Sequence, residues 1–330
     1  MTARHANISI FVPHIGCPNM CSFCNQRHIT GAHKAPAKQD IIDAVNVAVK
    51  SPRYSPQNTE IAFFGGSFTA IDRDYMINLL NTADIFVKNN VVSGIRISTR
   101  PDAIDDEILT ILKQYGVTSI ELGAQSLDDG VLQKNNRGHN AKSVEEASRL
   151  IKKYGFSLGL QMMTGLYGDC DEFSISTAQK IINLAPNTVR IYPTIVLKNT
   201  DLADLYYQNE YKPQSLDEAV NLCARLVKMF NRADINIIRL GLHSIEQNSY
   251  VAGPWHPAFS ELCYSKIMLE NALNLLDTNG KYTLFVSSSS VSKMIGQHKS
   301  NINTLKNLGF DCVVKTDNSL GENDVRVERR

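Results

Sequence analysis

Short apolar runs rich in β-branched residues alternate with segments of helical period, and this alternation constrains the fold more than any other feature. The runs are ISIFVPHI (8–15), EIAFF (60–64), GIRIS (94–98), TSIEL (118–122), FSLGLQMM (156–163) and TVRIYP (188–193). Between them lie the amphipathic patterns DIIDAVNVAVK, YMINLLNTADIFVKN, DEILTILKQY, KSVEEASRLIKKY and STAQKIINLA. Regular strand-then-helix alternation predicts an α/β chain with a parallel sheet and crossover helices. Six such units suit an incomplete TIM-like barrel, a partial (β/α)6 arrangement whose loops after the strand C-termini hold the chemistry. On periodicity alone a doubly wound sheet competes with it. No tandem repeat and no low-complexity segment interrupts the pattern.

Beyond the sixth unit the pattern changes. A helix near 216–232 leads to INIIRLGL (235–242) and then to VAGPWHPAFSELCY, rich in Gly, Pro and aromatic residues. KYTLFVSSS, two short helical patterns and GFDCVVKT close the chain as a β-α-α-β tail. The expected division is a core at 1–240 and a small C-terminal α/β module at 241–330. A formal net charge of +1 gives no global argument for an anionic partner, although a local basic patch remains open. The N-terminal MTARHANISIFVPHIG has no apolar signal core, and no run is long enough to span a bilayer. A cytoplasmic chain with no membrane partner is therefore expected, and there clustered thiols point to metal rather than disulfides.

Such a cluster exists. GCPNMCSFC (16–24) holds Cys17, Cys21 and Cys24, spaced C-x3-C-x2-C, while Cys170, Cys223, Cys263 and Cys312 are single and scattered. Thiolates are soft ligands that favour zinc or iron–sulfur clusters. A structural zinc site needs four protein ligands, and His14 and His28 are available to complete one. The other reading is a [4Fe–4S] cluster on three cysteines with one open iron, a place to bind something further. At 63–69 the chain reads FFGGSFT. Paired glycines at a strand end let a backbone approach a ligand closely, though Gly-Gly marks an ordinary turn more often.

CPNMCSFC followed by FFGGSF resembles the radical S-adenosylmethionine (SAM) superfamily, with Phe23 in the aromatic slot of its cysteine motif. ISTRPDAID, IELGAQSLDDGVLQKNNRGHN, LGLQMMTGLYGD and VRIYPTIVLKNTDLADLYYQNEYKP extend the likeness. The last three are most similar to the radical-SAM domain of the Elongator catalytic subunit, a tRNA-modifying protein, and less closely to oxygen-independent coproporphyrinogen oxidases. The likeness runs over roughly residues 5–240. The Elongator subunit also has an acetyltransferase domain, for which no length remains after residue 240, and a longer first cysteine interval. The resemblance therefore implies a stand-alone radical-SAM barrel.

It further implies that Cys17, Cys21 and Cys24 hold a [4Fe–4S] cluster whose open iron chelates SAM, reductive cleavage giving a 5′-deoxyadenosyl radical that abstracts hydrogen. Phe23 would lie near the adenine or simply pack the loop. Gly65, Gly66 and Ser67 match the motif that holds the SAM amino group. Ser98 and Arg100 end the third strand, where an N-cap role for Arg100 before Pro101 is equally open. By resemblance Gln125 faces the ribose, which suits an amide that both donates and accepts. Arg137 would pair with the SAM carboxylate. Gln161 stands where the coproporphyrinogen oxidases have an acid, Met163 lines the adenine pocket or packs in the core, and Tyr192 sits at the mouth of the sixth strand.

KMIGQHKSNINTLKNLGF (293–310) resembles the I-G-x-x-G-x-x-I hinge of RNA-binding KH domains, with Lys299 replacing the second glycine. Lys293, His298 and Lys299 would suit phosphate there, and a solvated helix–turn–helix cap is the alternative. GPWHPAF, with Trp255 and His256, is either a substrate-facing loop or a packed Pro/aromatic corner. Together these features predict a radical-SAM enzyme acting on RNA, tRNA above all, supplied with electrons by a flavodoxin or ferredoxin. The rivals are a small-molecule or tetrapyrrole substrate and a non-catalytic, metal-stabilised RNA-binding protein.

Overall fold

The structure, a computed structural model, describes residues 5–12, 17, 21–24, 35–243, 245 and 248–330. His14 and His28, and residues 13–15 of the first expected strand, lie outside the described residues. Seven parallel strands form one curled sheet: β1 (Ala6–Val12), β2 (Thr59–Gly65), β3 (Gly94–Thr99), β4 (Val117–Gln125), β5 (Ser157–Thr164), β6 (Thr188–Pro193) and β8 (Asn236–Leu240), in that order. The first six are the expected strands. INIIRL adds the seventh, in register with β6 so that Arg190 stands opposite Arg239.

Helices α1 (Lys38–Ala48), α2 (Arg73–Lys88), α3 (Asp106–Gln114), α4 (Asp129–Lys134), α5 (Ala141–Lys153), α6 (Asp171–Leu184), α7 (Asp201–Tyr207) and α8 (Leu216–Arg232) connect these strands. In α5, Val144, Ala147, Ser148 and Ile151 are buried at i, i+3, i+4 and i+7, a single stripe that packs on the sheet. The Asn140 side chain caps this helix by accepting from Ser143 N, while Ser215 and Glu218 form a reciprocal capping box on α8. In β2, Thr59 through Phe63 are all buried, as expected for a strand covered on both faces.

Four charged side chains fill the barrel interior. Glu60 on β2 accepts from Arg96 of β3 at 2.8 Å, and Glu121 on β4 accepts from Arg190 of β6 at 2.6 and 2.8 Å and from Arg96 at 3.2 Å. Each carboxylate has further donors: Thr118 and Ser119 hydroxyls on Glu60, and the Gln161 amide on Glu121. Two acids and two arginines thus neutralise one another below the strand C-termini.

A short antiparallel pair, β7 (Val196–Leu197) with β9 (Tyr250–Ala252), follows β6. The tail then forms α9 (Phe259–Leu273), β10 (Gly280–Val286), α10 (Val291–Ile295), α11 (Ser300–Asn307), β11 (Phe310–Thr316) and β12 (Arg326–Arg329). β10 pairs parallel with β11, completing the expected β-α-α-β order, and antiparallel with β12. Helix α9 buries Phe259, Cys263 and Ile267 in the barrel's core, and Met268, Leu269 and Ala272 in the core of the small sheet. Among the described residues no helix is long and apolar enough to cross a membrane.

Candidate active site

The segment from Cys21 to Cys24 is fastened from two sides. Cys24 N donates to Cys21 O, closing a tight turn. Ser22 N donates to Asn135 O at 3.2 Å, Ser22 Oγ to Asn135 Oδ1 at 2.8 Å, and Leu202 N to Ser22 O at 2.8 Å. Phe23 packs against the small cluster of Val196, Leu202, Ala203 and Tyr211. Asn135, fully buried, also donates to Val131 O and Tyr167 O and accepts from Tyr167 N. Sequence reading passed over it, although an asparagine two residues before the motif arginine was the available signal. Asn135→Ala would strand several of these buried groups at about 1–3 kcal/mol each. It is expected to lower the urea midpoint and to make the loop more susceptible to limited proteolysis, both compared with wild type.

At the strand ends the backbone is close-fitted. Gly65 has φ +114°, and a Cβ there would stand 2.4 Å from Val12 O, so no side chain can occupy the position without moving β1. Gly66 N donates to Val12 O at 2.9 Å. Ser67 is 1% exposed, and its hydroxyl is engaged by Thr99 Oγ1 at 2.8 Å and Arg100 N at 3.1 Å. Gln125 ends β4 at φ +63°, where the pairing with β5 shifts register. The Arg137 guanidinium donates to Gly123 O at 2.7 Å and to Cys21 Sγ at 3.0 Å. The Arg100 side chain is held by Asp102. Burial and the Arg137 charge push His139 down to about 4, so this imidazole adds no positive charge near neutrality.

All twelve residues singled out for cofactor or metal binding line one of two adjoining spaces, a cavity of about 430 Å³ and a pocket of about 120 Å³. Cys17, Cys21, Gly66, Ser67 and Arg137, with Arg100, line the pocket; Met163, with Tyr192, lines the cavity. Phe23, Cys24, Gly65, Ser98, Gln125 and Gln161 border both. The core methionine of β5 is its neighbour Met162, wholly buried. Three buried polar atoms on this wall have no partner: Ser98 Oγ, Gln125 Oε1 and Arg137 Nε. Ten buried side-chain polar atoms among the described residues lack a partner, and these three gather around one space, where a polar ligand could satisfy them. Three soft thiols beside two arginines suit an anionic metal–sulfur group, and the orphans suit a ligand with carboxylate, amino and hydroxyl groups. Among the described residues no three His, Cys, Asp or Glu side chains are arranged around a single ion.

The tail and corner residues lie elsewhere. Lys293 stacks over the Tyr264 ring, 5.2 Å from its centroid, and His298 and Lys299 are exposed at positive φ. Trp255 Nε1 donates to His243 O at 3.4 Å and His256 Nδ1 accepts from Ala258 N, so both are engaged within their corner. Arg190, Leu242 and His243, which also line the cavity, were not foreseen.

A family model described as the radical SAM superfamily matches residues 11–176, and a second, the Radical_SAM C-terminal domain, matches residues 186–268. The chain is 31% identical over 203 residues to Elongator complex protein 3 of Homo sapiens, covering 55% of this chain and 37% of that protein. It is 23% identical over 241 residues to a tRNA uridine(34) acetyltransferase of Dehalococcoides mccartyi, covering 62% and 52%. It thus spans between about a third and a half of the length of these relatives. Among solved structures, the archaeal Methanocaldococcus infernus Elp3 shares the fold, with a TM-score of 0.67 and 20% identity over 82% of this chain and 64% of that one.

Proposed function

The chain belongs to the radical SAM superfamily of enzymes, whose cofactors are a [4Fe–4S] cluster and SAM, and from that premise we propose that Cys17, Cys21 and Cys24 hold the cluster and that the substrate is RNA of the tRNA class. The observation that carries the site is the convergence of all twelve residues, and of three orphaned polar atoms, on two adjoining spaces that share six lining residues. When bound there, the reduced cluster supplies cleavage of SAM to methionine and a 5′-deoxyadenosyl radical for hydrogen abstraction.

The chain's own residues position and enclose. Arg137, already tied to Gly123 O and Cys21 Sγ, has Nε left to donate to a carboxylate. Gln125 Oε1 accepts from a ribose hydroxyl, and the Gly65–Gly66 backbone approaches an amino group. Gln161, anchored on Glu121, and Met163 line the adenine side. Phe23 and the apolar cluster it packs on would shield the site from water, which protects a reactive radical from side reactions.

The RNA assignment is supported by likeness to a tRNA uridine(34) acetyltransferase and to the Elongator protein. In this reading a flavodoxin or ferredoxin delivers the electron, and the C-terminal module at 241–330 has a small sheet with its own buried cluster but is tied to the barrel through β9 and the first half of α9. The test is anaerobic reconstitution with iron and sulfide, then SAM and dithionite, with 5′-deoxyadenosine measured with and without total tRNA. Formation stimulated several-fold by tRNA is expected. Cleavage indifferent to tRNA would sink the RNA assignment, and none at all would sink the enzymatic one.

A further inference from the structure

We propose that Phe11 and Phe64 form a stacking platform in the larger cavity for a flat, unsaturated ring of the substrate. This rests on the RNA assignment and adds how the molecule is held: on that assignment the ring is a base.

Strand alternation is the first argument. On β1, Ile8, Ile10 and Val12 are buried in the barrel's core, whereas Asn7, Ser9 and Phe11 line the cavity. Phe11 is 43% exposed there, although phenylalanine is among the side chains most often buried. In the pairing of β1 with β2, Phe11 stands opposite Phe64, so the two rings leave adjacent strands at one level of the same face. Phe63 takes the opposite face: it is 1% exposed and stacks on Phe68 with ring centroids 4.6 Å apart. The Arg190 guanidinium lies over the Phe64 ring, 5.2 Å from its centroid, while donating to Glu121. One planar group thus already stacks on Phe64, and Phe11, one strand across, carries the exposed ring on which a second can lie.

Position is the second argument. Phe11 and Phe64 line the larger cavity and not the pocket of Cys17, Cys21 and Arg137. Gly65 directly follows Phe64 and borders both spaces, as do Ser98 and Gln125. The two rings therefore adjoin the wall assigned to SAM, where a substrate must lie to meet a radical formed there. Their neighbours along β1 are an amide, Asn7, and a hydroxyl, Ser9. A ring with polar edges can lie on phenylalanine and hydrogen-bond at its rim, the way proteins commonly hold unpaired bases. Every base has such a face, so the platform selects a kind of ring rather than a sequence.

The test is equilibrium dialysis of labelled nucleotides against the full chain carrying cluster and SAM, without reductant. Uridine 5′-monophosphate and its 5,6-dihydro form share ribose, phosphate and the polar edge of the base, but saturation puckers the ring and removes its π-face. Wild type should bind the unsaturated nucleotide about tenfold tighter. Phe11→Leu should erase that preference and Phe11→Tyr retain it, with an unchanged urea midpoint certifying each variant's fold. Equal binding of the two nucleotides by wild type, or a preference that survives Phe11→Leu, overturns the platform and leaves the RNA assignment standing. SAM affinity lowered about tenfold by Phe11→Leu in the same dialysis would put that ring against the cofactor's adenine and overturns the platform too. Coproporphyrin, a flat macrocycle, held by wild type and lost in Phe11→Leu, with neither nucleotide bound, upholds the platform and removes RNA as the substrate. Binding of none of the three probes overturns it.

Discussion

Replacing Cys21 with alanine is expected to cut 5′-deoxyadenosine formation by more than about 100-fold, to the level of a protein-free control, because loss of outer-shell partners alone commonly costs 10–100-fold. The three thiols fall within eight residues, with Cys21 and Cys24 flanking a Ser22 that is held to Asn135 and Leu202, and the other cysteines lie far from them in sequence. A vacated position therefore has no substitute among the described residues. Cys17→Ala and Cys24→Ala should behave alike, and iron content after reconstitution should fall with activity. Cys170→Ala is the control: that thiol is exposed, at the start of α6, and touches neither pocket nor cavity. Activity and full iron content surviving in any of the three loop variants would remove the cluster assignment. Loss in Cys170→Ala as well would show that the assay reads general thiol damage.

The barrel was legible because strands such as β2 and β3 are buried along most of their length and so read as near-continuous apolar runs between stripes of helical period, while β1 alternates buried with exposed residues. Strand β8 was written as plainly, in INIIRL, but its membership of the same sheet depends on pairing with β6, which no local pattern encodes. Short β12 (RVER) has no apolar alternation and is held by β10 alone. The site separates in the same way. The cysteines, Gly65, Gln125 and Arg137 stand in compact local motifs, and local motifs can be read. Asn135 acts through partners remote in sequence, such as Ser22 and Tyr167. One signal was available and unused. Glu60, Arg96, Glu121 and Arg190 each interrupt an otherwise apolar strand run, and a charge there must meet an opposite charge inside the barrel. Strand alternation likewise separates Met162 in the core from Met163 on the cavity.

Glu121→Ala is expected to destabilise the fold by about 3–5 kcal/mol, the usual cost of removing one partner from a buried ion pair. Glu121 is 1% exposed and accepts from Arg190, Arg96 and Gln161, so its loss leaves a buried guanidinium and an amide unanswered. That is a large share of the ordinary stability of a folded chain. Urea unfolding should show the midpoint falling with little change in slope. The double variant Glu121→Ala/Arg190→Met should recover part of the loss, because an apolar side chain has no charge to leave unpaired. Acid titration examines the other half of the network. Burial alone would raise the Glu60 carboxyl, but the His5 hydrogen bond, the Arg96 charge and the Thr118 hydroxyl outweigh it and hold it at about 2, against 4.5 for a free carboxyl. A carboxyl depressed on folding stabilises the protein above its unfolded value, and that contribution is lost as the pH falls from about 4.5 towards 2, here roughly 3 kcal/mol. Wild-type stability should therefore fall through that window. A Glu121→Ala protein within about 1 kcal/mol of wild type would mean that water, rather than paired charge, occupies the middle of the barrel.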